Sequence, residues 1–518
     1  MASHEKNLKQ VATGAGIGLF GSLVGAVLQL LSGIIVVRLV PPAEYGIYTL
    51  AIVLVATLAT LSNLGFGNGA PQLIAKYLAA NDHSRVRGIV LATLVIVAGV
   101  SGVLTLSLFS LSGQVAGFFG KPDLAAVLQP LSFMLWVSAL SVALVSVCRG
   151  FSLTWPKVLF DEILNRVLRL CGLLFVAYAG WGLIGIVGVT VATTMITFGV
   201  FCFYAWKIIP RLIQPVHSVW GGRELVVFSF PLFGNNVIEI LMVSASTLLL
   251  GYFKSADQVG FYNVAVTLAR LLEMPLAALA FIYLPIATAV HKGRGIQDVE
   301  KLYQSSTKWI MLITLPVLLV ILLDAEFIVG LLFGQAYRSA ADALRILSLG
   351  YFMHAALGPN GMTLLAFGAR RAIFLSTGLA ALISVVLGMV LIPAWGATGA
   401  AIGVALALSI SNIFISVNMY LRAGIHPLNS SYLKPLAFSG IAAAGLAALL
   451  AVHPLSAHWE HVLLLVSVGL VCLVSPVVTR SMDESDIAML NAIERKLFRT
   501  AVFSARLRKW CGHGLVKD

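Results

Sequence analysis

The chain has 518 residues, of which 59% are hydrophobic and 11% are charged, and its formal net charge is +13. Soluble proteins carry about 25% charged residues, so the composition excludes an ordinary soluble protein and predicts a surface that mostly faces lipid. The five cysteines and ten histidines lack the spacing of a disulfide framework or a metal site. We therefore expect no metal and no cofactor.

Apolar segments of membrane-spanning length follow one another along almost the whole chain. They predict about fourteen transmembrane helices, at residues 12–38, 45–70, 88–110, 125–148, 157–179, 182–206, 225–251, 259–286, 308–323, 341–367, 371–393, 397–420, 434–452 and 460–479. The first run is too long for the apolar core of a signal peptide and is taken as the first span. The predicted fold class is an all-α polytopic membrane protein.

The basic residues are distributed very unevenly between the predicted loops. If the N-terminus is cytoplasmic, inward segments hold 26 of the 34 lysines and arginines, and outward segments hold only Arg38, Lys121, Lys254 and Arg338. This asymmetry follows the positive-inside rule and predicts an even number of spans with both termini in the cytoplasm. The net charge is thereby attributed to membrane topology, and no nucleic-acid partner is expected.

Residues 65–70, with the sequence GFGNGA, fit the G-x-G-x-x-A turn of a dinucleotide-binding site. That motif needs a strand before it and an acid about 20 residues after it. Here an apolar run of membrane-span length precedes it, and the next acid, Asp82, comes too early. The glycines are instead interpreted as part of a helix ending that Pro71 completes.

The sequence contains an internal duplication. The loop after the first span reads RLVPPAEYGIYTLA, and the loop after the seventh reads YFKSADQVGFYNVA. One offset of 214 residues aligns Gly46 with Gly260, Tyr48 with Tyr262, Ala51 with Ala265, Pro71 with Pro285, and residues 181–185 with 395–399. We predict two six-helix lobes, 1–214 and 215–428, then two spans in 429–480 and a tail, 481–518. An even number of spans per lobe points both lobes the same way, as in two-lobed transporters with a central site.

Pro71 and Pro285 occupy matching places in spans two and eight. Proline removes a helix hydrogen bond and clashes with the preceding turn, so both spans are expected to bend there. The bend either serves packing alone or forms a hinge that opens and closes the cytoplasmic mouth.

Charged residues inside predicted spans mark candidate binding groups, because a charge at the bilayer centre costs about 3 kcal/mol. Glu239 and Arg270 lie at similar distances on either side of the turn near residue 255. A rise of 1.5 Å per residue puts them at nearly the same depth, so they can pair, and Glu273 can share the arginine. They form either a structural salt bridge or a site where Arg270 binds an anion and a carboxylate takes up a coupling ion. Arg345, near a span end, is expected to extend toward the interface.

Span five reads KVLFDEILNRVLRLCGLL. Glu162 and Arg166, like Asn165 and Arg169, are spaced i,i+4, and the two arginines share one face. Two guanidinium groups beside one carboxylate leave positive charge that invites an anionic ligand. The alternative is that they bind lipid headgroups.

Three amides within spans, Gln29, Asn235 and Asn236, either line the same cavity or stabilise helix contacts. The tail repeats apolar residues at helical spacing and then becomes basic. It is interpreted as an amphipathic helix on the cytoplasmic leaflet, with partner binding as the alternative.

The motifs together resemble a known family. The Y-G-x-Y loop, the L-G-x-G stretch followed by PQLIAKY, the second-half VGFY, the AFGARR ending of span ten and the two W-G-x-x-G turns are similar to Wzx-type polysaccharide flippases. Those transporters belong to the superfamily of the MATE exporters and the lipid II flippase. The resemblance implies two lobes around a cavity of alternating access that turns over undecaprenyl-pyrophosphate-linked oligosaccharides for O-antigen, capsule or exopolysaccharide in the bacterial inner membrane.

The resemblance also implies cationic cavity residues that meet the pyrophosphate. Arg270 is the best match by position, followed by Arg166 and Arg169, and no catalytic residue is implied. The alternatives are a MATE-like exporter of cationic drugs, a lipid II flippase, or an O-antigen ligase or polymerase. The enzymes need a large outer loop, which the sequence lacks. We expect a monomer whose partners are membrane lipids, its lipid-linked substrate and a polymerase at the tail.

Overall fold

The computed structural model describes residue 21 and residues 24–153, 155–213, 217–453, 457–482 and 486. This part of the chain is helical almost throughout and has no β-strand. Ten of its helices are long and apolar enough to cross a membrane, so the expected all-α multi-pass architecture is confirmed. Helices suit this environment because they satisfy every backbone hydrogen bond within one segment. The total of fourteen spans stays a prediction.

The helices in chain order are α1 (Val24–Leu39), α2 (Pro42–Ser62), α3 (Phe66–Ala79), α4 (His83–Ser110), α5 (Ser112–Phe118), α6 (Leu124–Gly150), α7 (Asn165–Ala179), α8 (Gly182–Leu212), α9 (Gly222–Phe253), α10 (Ala256–Ala269), α11 (Met274–Arg294), α12 (Ile296–Phe333), α13 (Ala341–Ala356), α14 (Asn360–Ala366), α15 (Arg370–Ala423), α16 (Ser430–Val452) and α17 (His458–Val478). A π-helical segment, Lys157–Leu164, leads directly into α7, and 3₁₀ turns occupy Arg270–Glu273 and Gln335–Ala340. Apart from Ser481, Met482 and Asp486, the predicted tail lies outside the described residues.

Proline does not interrupt spans two and eight. Pro71 lies inside α3 and Pro285 inside α11, and both helices continue through the proline. Span two is interrupted before Pro71, where Leu64 and Gly65 have φ of 46° and 80°, and span eight is interrupted at the 3₁₀ turn Arg270–Glu273. The interruptions stand at different places in the two repeats, so a matched pair of proline hinges stays a prediction.

The glycines of the GFGNGA stretch allow α3 to approach α9 closely. A Cβ added at Gly65 would lie 2.5 Å from the backbone oxygen of Ser229, and one at Gly69 would lie 2.0 Å from the Ser229 hydroxyl. Gly65 also has the left-handed backbone conformation that glycine adopts without steric cost. The motif therefore serves helix packing.

The region 324–340, which the sequence predicted as an outward loop, is mostly helical. The helix α12 runs on to Phe333 with one non-helical residue, Asp324, and a 3₁₀ turn follows. The apolar residues Phe327 to Phe333 explain the difference, because they continue the helix past the acid that suggested a loop.

The duplicated Trp-Gly segments have the same local structure in both halves. Gly182 and Gly396, which the offset of 214 residues aligns, have φ of 55° and 56°. The preceding Trp181 and Trp395 are 59% and 58% exposed. The sequence repeat is thus matched at this turn by the same positive φ and by similar exposure of the tryptophan.

Two compact units divide the described chain, and neither is one sequence half. The first comprises residues 1–267, 332–343 and 381–404, and the second comprises 268–331, 344–380 and 405–518. The lobes proposed from the duplication rest on sequence equivalence, and their boundaries stay a prediction.

In the first unit, α2 crosses α10 at two aligned glycines. A Cβ at Gly46 would lie 1.8 Å from the carbonyl oxygen of Ala256, and one at Gly260 would lie 2.5 Å from that of Pro42. Pro42 and Ala256 are separated by the same 214 residues as the two glycines. The two contacts are thus equivalent, as across a two-fold axis, and the helix backbones touch because the glycines carry no side chain.

Lys121 joins the loop before α6 to the end of α9 in the same unit. Its ammonium donates to the backbone oxygens of Phe119 at 3.2 Å and Lys254 at 2.8 Å, and also to that of Gly251. A cation at this position satisfies terminal carbonyls and complements the helix dipole. Burial lowers the pKa of Lys121, because desolvation disfavours the charged ammonium.

Backbone carbonyls also anchor the junction of α1 and α2. Arg38 Nε donates to the oxygen of Leu332 at 2.8 Å, and the Tyr337 hydroxyl donates to that of Val40 at 2.9 Å. Burial raises the pKa of Tyr337, which keeps its hydroxyl protonated as a donor.

In the second unit, two charged pairs hold α12 at interior positions. The carboxylate of Asp324 lies 2.5 Å from His461 Nδ1 on α17, and the His461 ring stacks on Phe327. Nearer the start of α12, the buried Lys308 pairs with the buried Asp486. Both C-terminal additions, the α16–α17 pair and the start of the tail, are thereby tied to α12.

We expect Gly46→Ala and Gly260→Ala each to destabilise the protein by about 1–3 kcal/mol, because the new methyl group forces two backbones apart. Thermal unfolding in detergent measures the loss. Gly99→Ala in α4 is the matched control, since a Cβ there has no atom within 4 Å. The double variant should lose less than the sum of the two, because both changes disrupt one crossing. Stabilities equal to that of Gly99→Ala would contradict the contact.

Candidate functional site: a polar cavity within the first unit

A cavity of about 460 Å³ lies among helices of the first unit. Its size is typical of ligand sites. Four of its wall residues come from the segment around α7: Asp161, Asn165, Arg166 and Arg169. The other wall residues are Gln29, Ser32, Gly33, Val36, Tyr45, Tyr48, Thr49, Ile52, Met134, Ser138, Ser141, Val142, Thr194, Thr197, Phe198 and Thr267.

The π-helical segment Lys157–Leu164 contributes Asp161 to the cavity wall. π-Helical turns are rare and frequent at functional sites. This one begins directly after Pro156, which cannot donate a backbone hydrogen bond, and contains Asp161 and Glu162.

Arg166 is neutralised within its own helix. Its Nη2 lies 2.8 Å from the Glu162 carboxylate, so the ion pair that the i,i+4 spacing predicted is present. Gly25 of α1 covers this pair, and a Cβ there would lie 2.5 Å from Arg166 Nη1 and 2.9 Å from Glu162 Oε2. The glycine thus makes room for the pair against α1.

Arg169 is oriented by a neighbouring helix. Its Nη2 donates to the Tyr48 hydroxyl at 2.6 Å, and that hydroxyl lies 3.0 Å from the Thr190 hydroxyl. The sequence paired Arg169 with Asn165, whereas the structure pairs it with Tyr48 of the Y-G-x-Y motif, which lies within α2 and not in the predicted loop. That motif identified the repeat but gave no sign of a role in the cavity.

Three buried polar atoms of the wall have no hydrogen-bond partner among the described residues. They are Ser32 Oγ, Arg169 Nε and Thr197 Oγ1. Buried polar groups are nearly always satisfied, so each such group needs an explanation, and water or a ligand supplies one. Because all three surround one cavity, they indicate a polar ligand.

The cavity has more negative charge than the sequence predicted. Asp161 also lines the wall, so a second carboxylate lies close to the Glu162–Arg166 pair and Arg169. The predicted surplus of positive charge counted only the carboxylate at i,i+4 spacing, and it stays a prediction.

The structure brings only part of the predicted site together. Gln29, Arg166 and Arg169 meet at the cavity, whereas Asn235, Asn236 and Glu239 lie on α9 and are not among its wall residues. Residues that the sequence analysis missed at the wall include Asp161, Tyr48 and four small hydroxyl residues: Ser138, Ser141, Thr194 and Thr197.

Arg270 and Glu273 belong to the second unit. Arg270 Nε donates to the Tyr351 hydroxyl at 3.3 Å, and a Glu273 oxygen lies 3.9 Å from His354 Nε2. Glu239 is part of the first unit, so its predicted pair with Arg270 concerns residues of two units and stays a prediction.

Comparison with solved structures shows which proteins share the fold. The structure is similar to the lipid II flippase MurJ in its inward closed conformation, with a TM-score of 0.70 and 12% identity over 89% of this chain and 97% of that chain. It is also similar to an inward-facing multidrug resistance MATE family transporter of the MOP superfamily, with a TM-score of 0.65 and 16% identity over 77% of this chain and 94% of that one. The fold of this chain is therefore the one that these two transporters share.

Sequence comparison then gives the family. The chain belongs to the polysaccharide biosynthesis protein family, whose model matches residues 35–342. It is 26% identical to the lipopolysaccharide biosynthesis protein WzxC of Escherichia coli over 64% of this chain, and 20% identical to the teichuronic acid biosynthesis protein TuaB of Bacillus subtilis over 57%. The matches span 65% and 62% of the length of these relatives. The expected resemblance to polysaccharide transporters is confirmed.

Gly25→Ala should break the Glu162–Arg166 pair, because its methyl group would overlap both charged groups. We expect a loss of about 1–3 kcal/mol in thermal stability. Gly33→Ala is the matched control on the same helix, since a Cβ there has no atom within 4 Å. In a Glu162→Ala/Arg166→Ala background the Gly25 change should cost little more, because the clashing groups are gone. An equal loss in both backgrounds would show that Gly25 acts elsewhere.

Proposed function

We propose that the protein is a flippase that moves undecaprenyl-pyrophosphate-linked oligosaccharides from the inner to the outer leaflet of the bacterial cytoplasmic membrane. The products would serve O-antigen, capsule or exopolysaccharide synthesis. The observation that carries the proposal is the unsatisfied Nε of Arg169 in a polar cavity walled by apolar helices. Family membership and the names of the relatives point to the same substrate class.

The cavity chemistry fits an anionic headgroup. Arginine donates several N–H groups in a planar fork that matches phosphate oxygens, and Tyr48 holds the guanidinium of Arg169 in place. The serine and threonine hydroxyls and Gln29 suit sugar hydroxyls. A volume of about 460 Å³ suits the pyrophosphate and the nearest sugars, while the lipid chain stays in the bilayer.

Transport by alternating access requires the cavity to be closed toward one face of the membrane at a time. The crossing of α2 and α10 is a candidate for the closure toward the outer face. All four basic residues predicted to face outward, Arg38, Lys121, Lys254 and Arg338, lie in segments that meet near this crossing in the first unit. The two lobes, 1–214 and 215–428, would then separate there in the outward-open state. The topology proposed is the one with both termini in the cytoplasm.

A second candidate function is export of organic cations. Asp161 favours it, because a carboxylate on the cavity wall can bind a cation as readily as the arginines bind an anion. The flippase remains the better-supported proposal, because Arg169 has an unsatisfied donor and the family is one of polysaccharide biosynthesis.

Reconstituted protein should move a fluorescent undecaprenyl-pyrophosphoryl sugar across liposomes, and Arg169→Gln should reduce the rate on the order of tenfold or more, since it removes a charge-assisted contact. Arg270→Gln, tested alongside, asks whether the second predicted cation also acts. Lys207→Gln, a cation outside the cavity wall, is the control. Movement of a cationic dye by the wild type, with none of the lipid-linked sugar, would favour the exporter instead.

The Gly46→Ala variant should spend more time with the outer end open. In protein without its five native cysteines, a cysteine replacing Ser138 on the cavity wall would report this state through labelling by a membrane-impermeant maleimide from outside. We expect labelling several times faster than with Gly99→Ala, because the variant cannot form the close crossing. Equal labelling rates would show that the outer seal lies elsewhere.

A further inference from the structure

Asp161 is a charged group of the cavity that the proposed binding of an anion does not use. Its half-buried side chain lines the wall and forms no hydrogen bond or ion pair with another described residue. Glu162, by contrast, is held by Arg166 at 2.8 Å. Of the two carboxylates, Asp161 is thus the one whose charge no contact holds in place.

The charged and polar neighbours of Asp161 come from several helices of the cavity wall. Its own segment places Lys157, Glu162 and Arg166 nearby, and Arg169 follows two turns later. From α2 come the hydroxyls of Tyr45 and Tyr48. Among the described residues, the walls from α1, α6, α8 and α10 present only uncharged side chains to the cavity: Gln29, Ser32, Gly33, Val36, Met134, Ser138, Ser141, Val142, Thr194, Thr197, Phe198 and Thr267.

An entering anion changes the charge balance of this cavity. Without ligand, the Glu162–Arg166 pair is neutral, and of the charged wall residues that remain, Asp161 offsets Arg169. Lys157 also acts on Asp161, but its side chain is exposed and lies outside the cavity wall. An anionic phosphate that accepts from Arg169 leaves the Asp161 carboxylate in excess and repels it. Repulsion of this kind is strong between helices that exclude water, and protonating one of two nearby anions relieves it.

We propose that an anionic phosphate binds in this cavity together with one proton, and that the proton resides on the Asp161 carboxylate. The inference rests on the proposed function, because it requires an anionic substrate. By linkage, protonation of Asp161 strengthens phosphate binding, and bound phosphate strengthens protonation by the same factor. The proton enters from water on binding and returns to water on release, so the headgroup crosses with one unit less of negative charge.

The test uses full-length protein in nanodiscs and a short-chain polyprenyl pyrophosphate. Calorimetric titration in two buffers of different ionisation enthalpy gives the number of protons taken up on binding. Wild type should take up as much as one proton more than Asp161→Asn, and ionisation of the ligand itself cancels in this difference. Wild-type affinity should fall on the order of tenfold between pH 6 and pH 8 relative to the variant.

Asn at position 161 resembles the protonated acid in shape and charge. Asp161→Asn should therefore bind the pyrophosphate at pH 8 at least as tightly as wild type does at pH 6. A variant that merely disturbed folding would lose affinity at both pH values, so this gain separates the two cases. Equal proton uptake by wild type and Asp161→Asn would overturn the inference.

Glu239→Gln is tested in parallel, because the sequence predicted this carboxylate as an ion-coupling group. Loss of proton uptake in Glu239→Gln, with uptake retained in Asp161→Asn, would move the linked proton to α9 and refute the proposal for Asp161. If wild type binds no pyrophosphate at any pH but binds an organic cation, the proposed function fails. Pyrophosphate binding without an Asp161-dependent proton leaves the function standing and refutes only the inference.

Discussion

The close crossing of α2 and α10 is the constraint on which the first unit is built. Two backbones can touch only where side chains are absent, and the glycines at 46 and 260 meet that condition on both helices. Because the residues in contact are related by the sequence repeat, the duplication brings the two halves together at a shared axis. Near this crossing, Arg38, Lys121 and Tyr337 donate hydrogen bonds to backbone oxygens. The course of the backbone therefore determines these contacts.

The chemistry of the cavity does not share this symmetry. At the offset of 214 residues, Asp161, Arg166 and Arg169 align with Leu375, Ala380 and Ile383. The packing of the duplicated halves has been kept, while the charged groups belong to one copy. The two halves are related by the repeat, but the charged residues of the cavity come from one half. This arrangement suits a carrier that closes symmetrically around an asymmetric ligand.

Much of the fold could be predicted from the sequence. The lengths of the apolar runs, and the glycines and prolines between them, determine membrane helices locally. Span five has the predicted bounds of 157–179, and the aligned Trp-Gly turns proved to share their backbone conformation. The contacts of the cavity residues were harder to predict. Spacing along one helix revealed the Glu162–Arg166 pair, but not that Tyr48, far away in sequence, would hold Arg169. The role of Asp161 depends on a π-helical turn, which changes the face that each residue occupies and leaves no clear signal in the sequence.

The two charged pairs on α12 have a consequence for how far the C-terminal segments can be separated from the rest of the protein. Lys308 is buried with Asp486 as its partner, and Asp324 is held by His461. A chain that ended at residue 430 would lack Asp486 and His461, and so would lose the contacts that these two residues make with Lys308 and Asp324. The segments after residue 430 are therefore part of the electrostatic environment of α12 and are not an independent appendage to it.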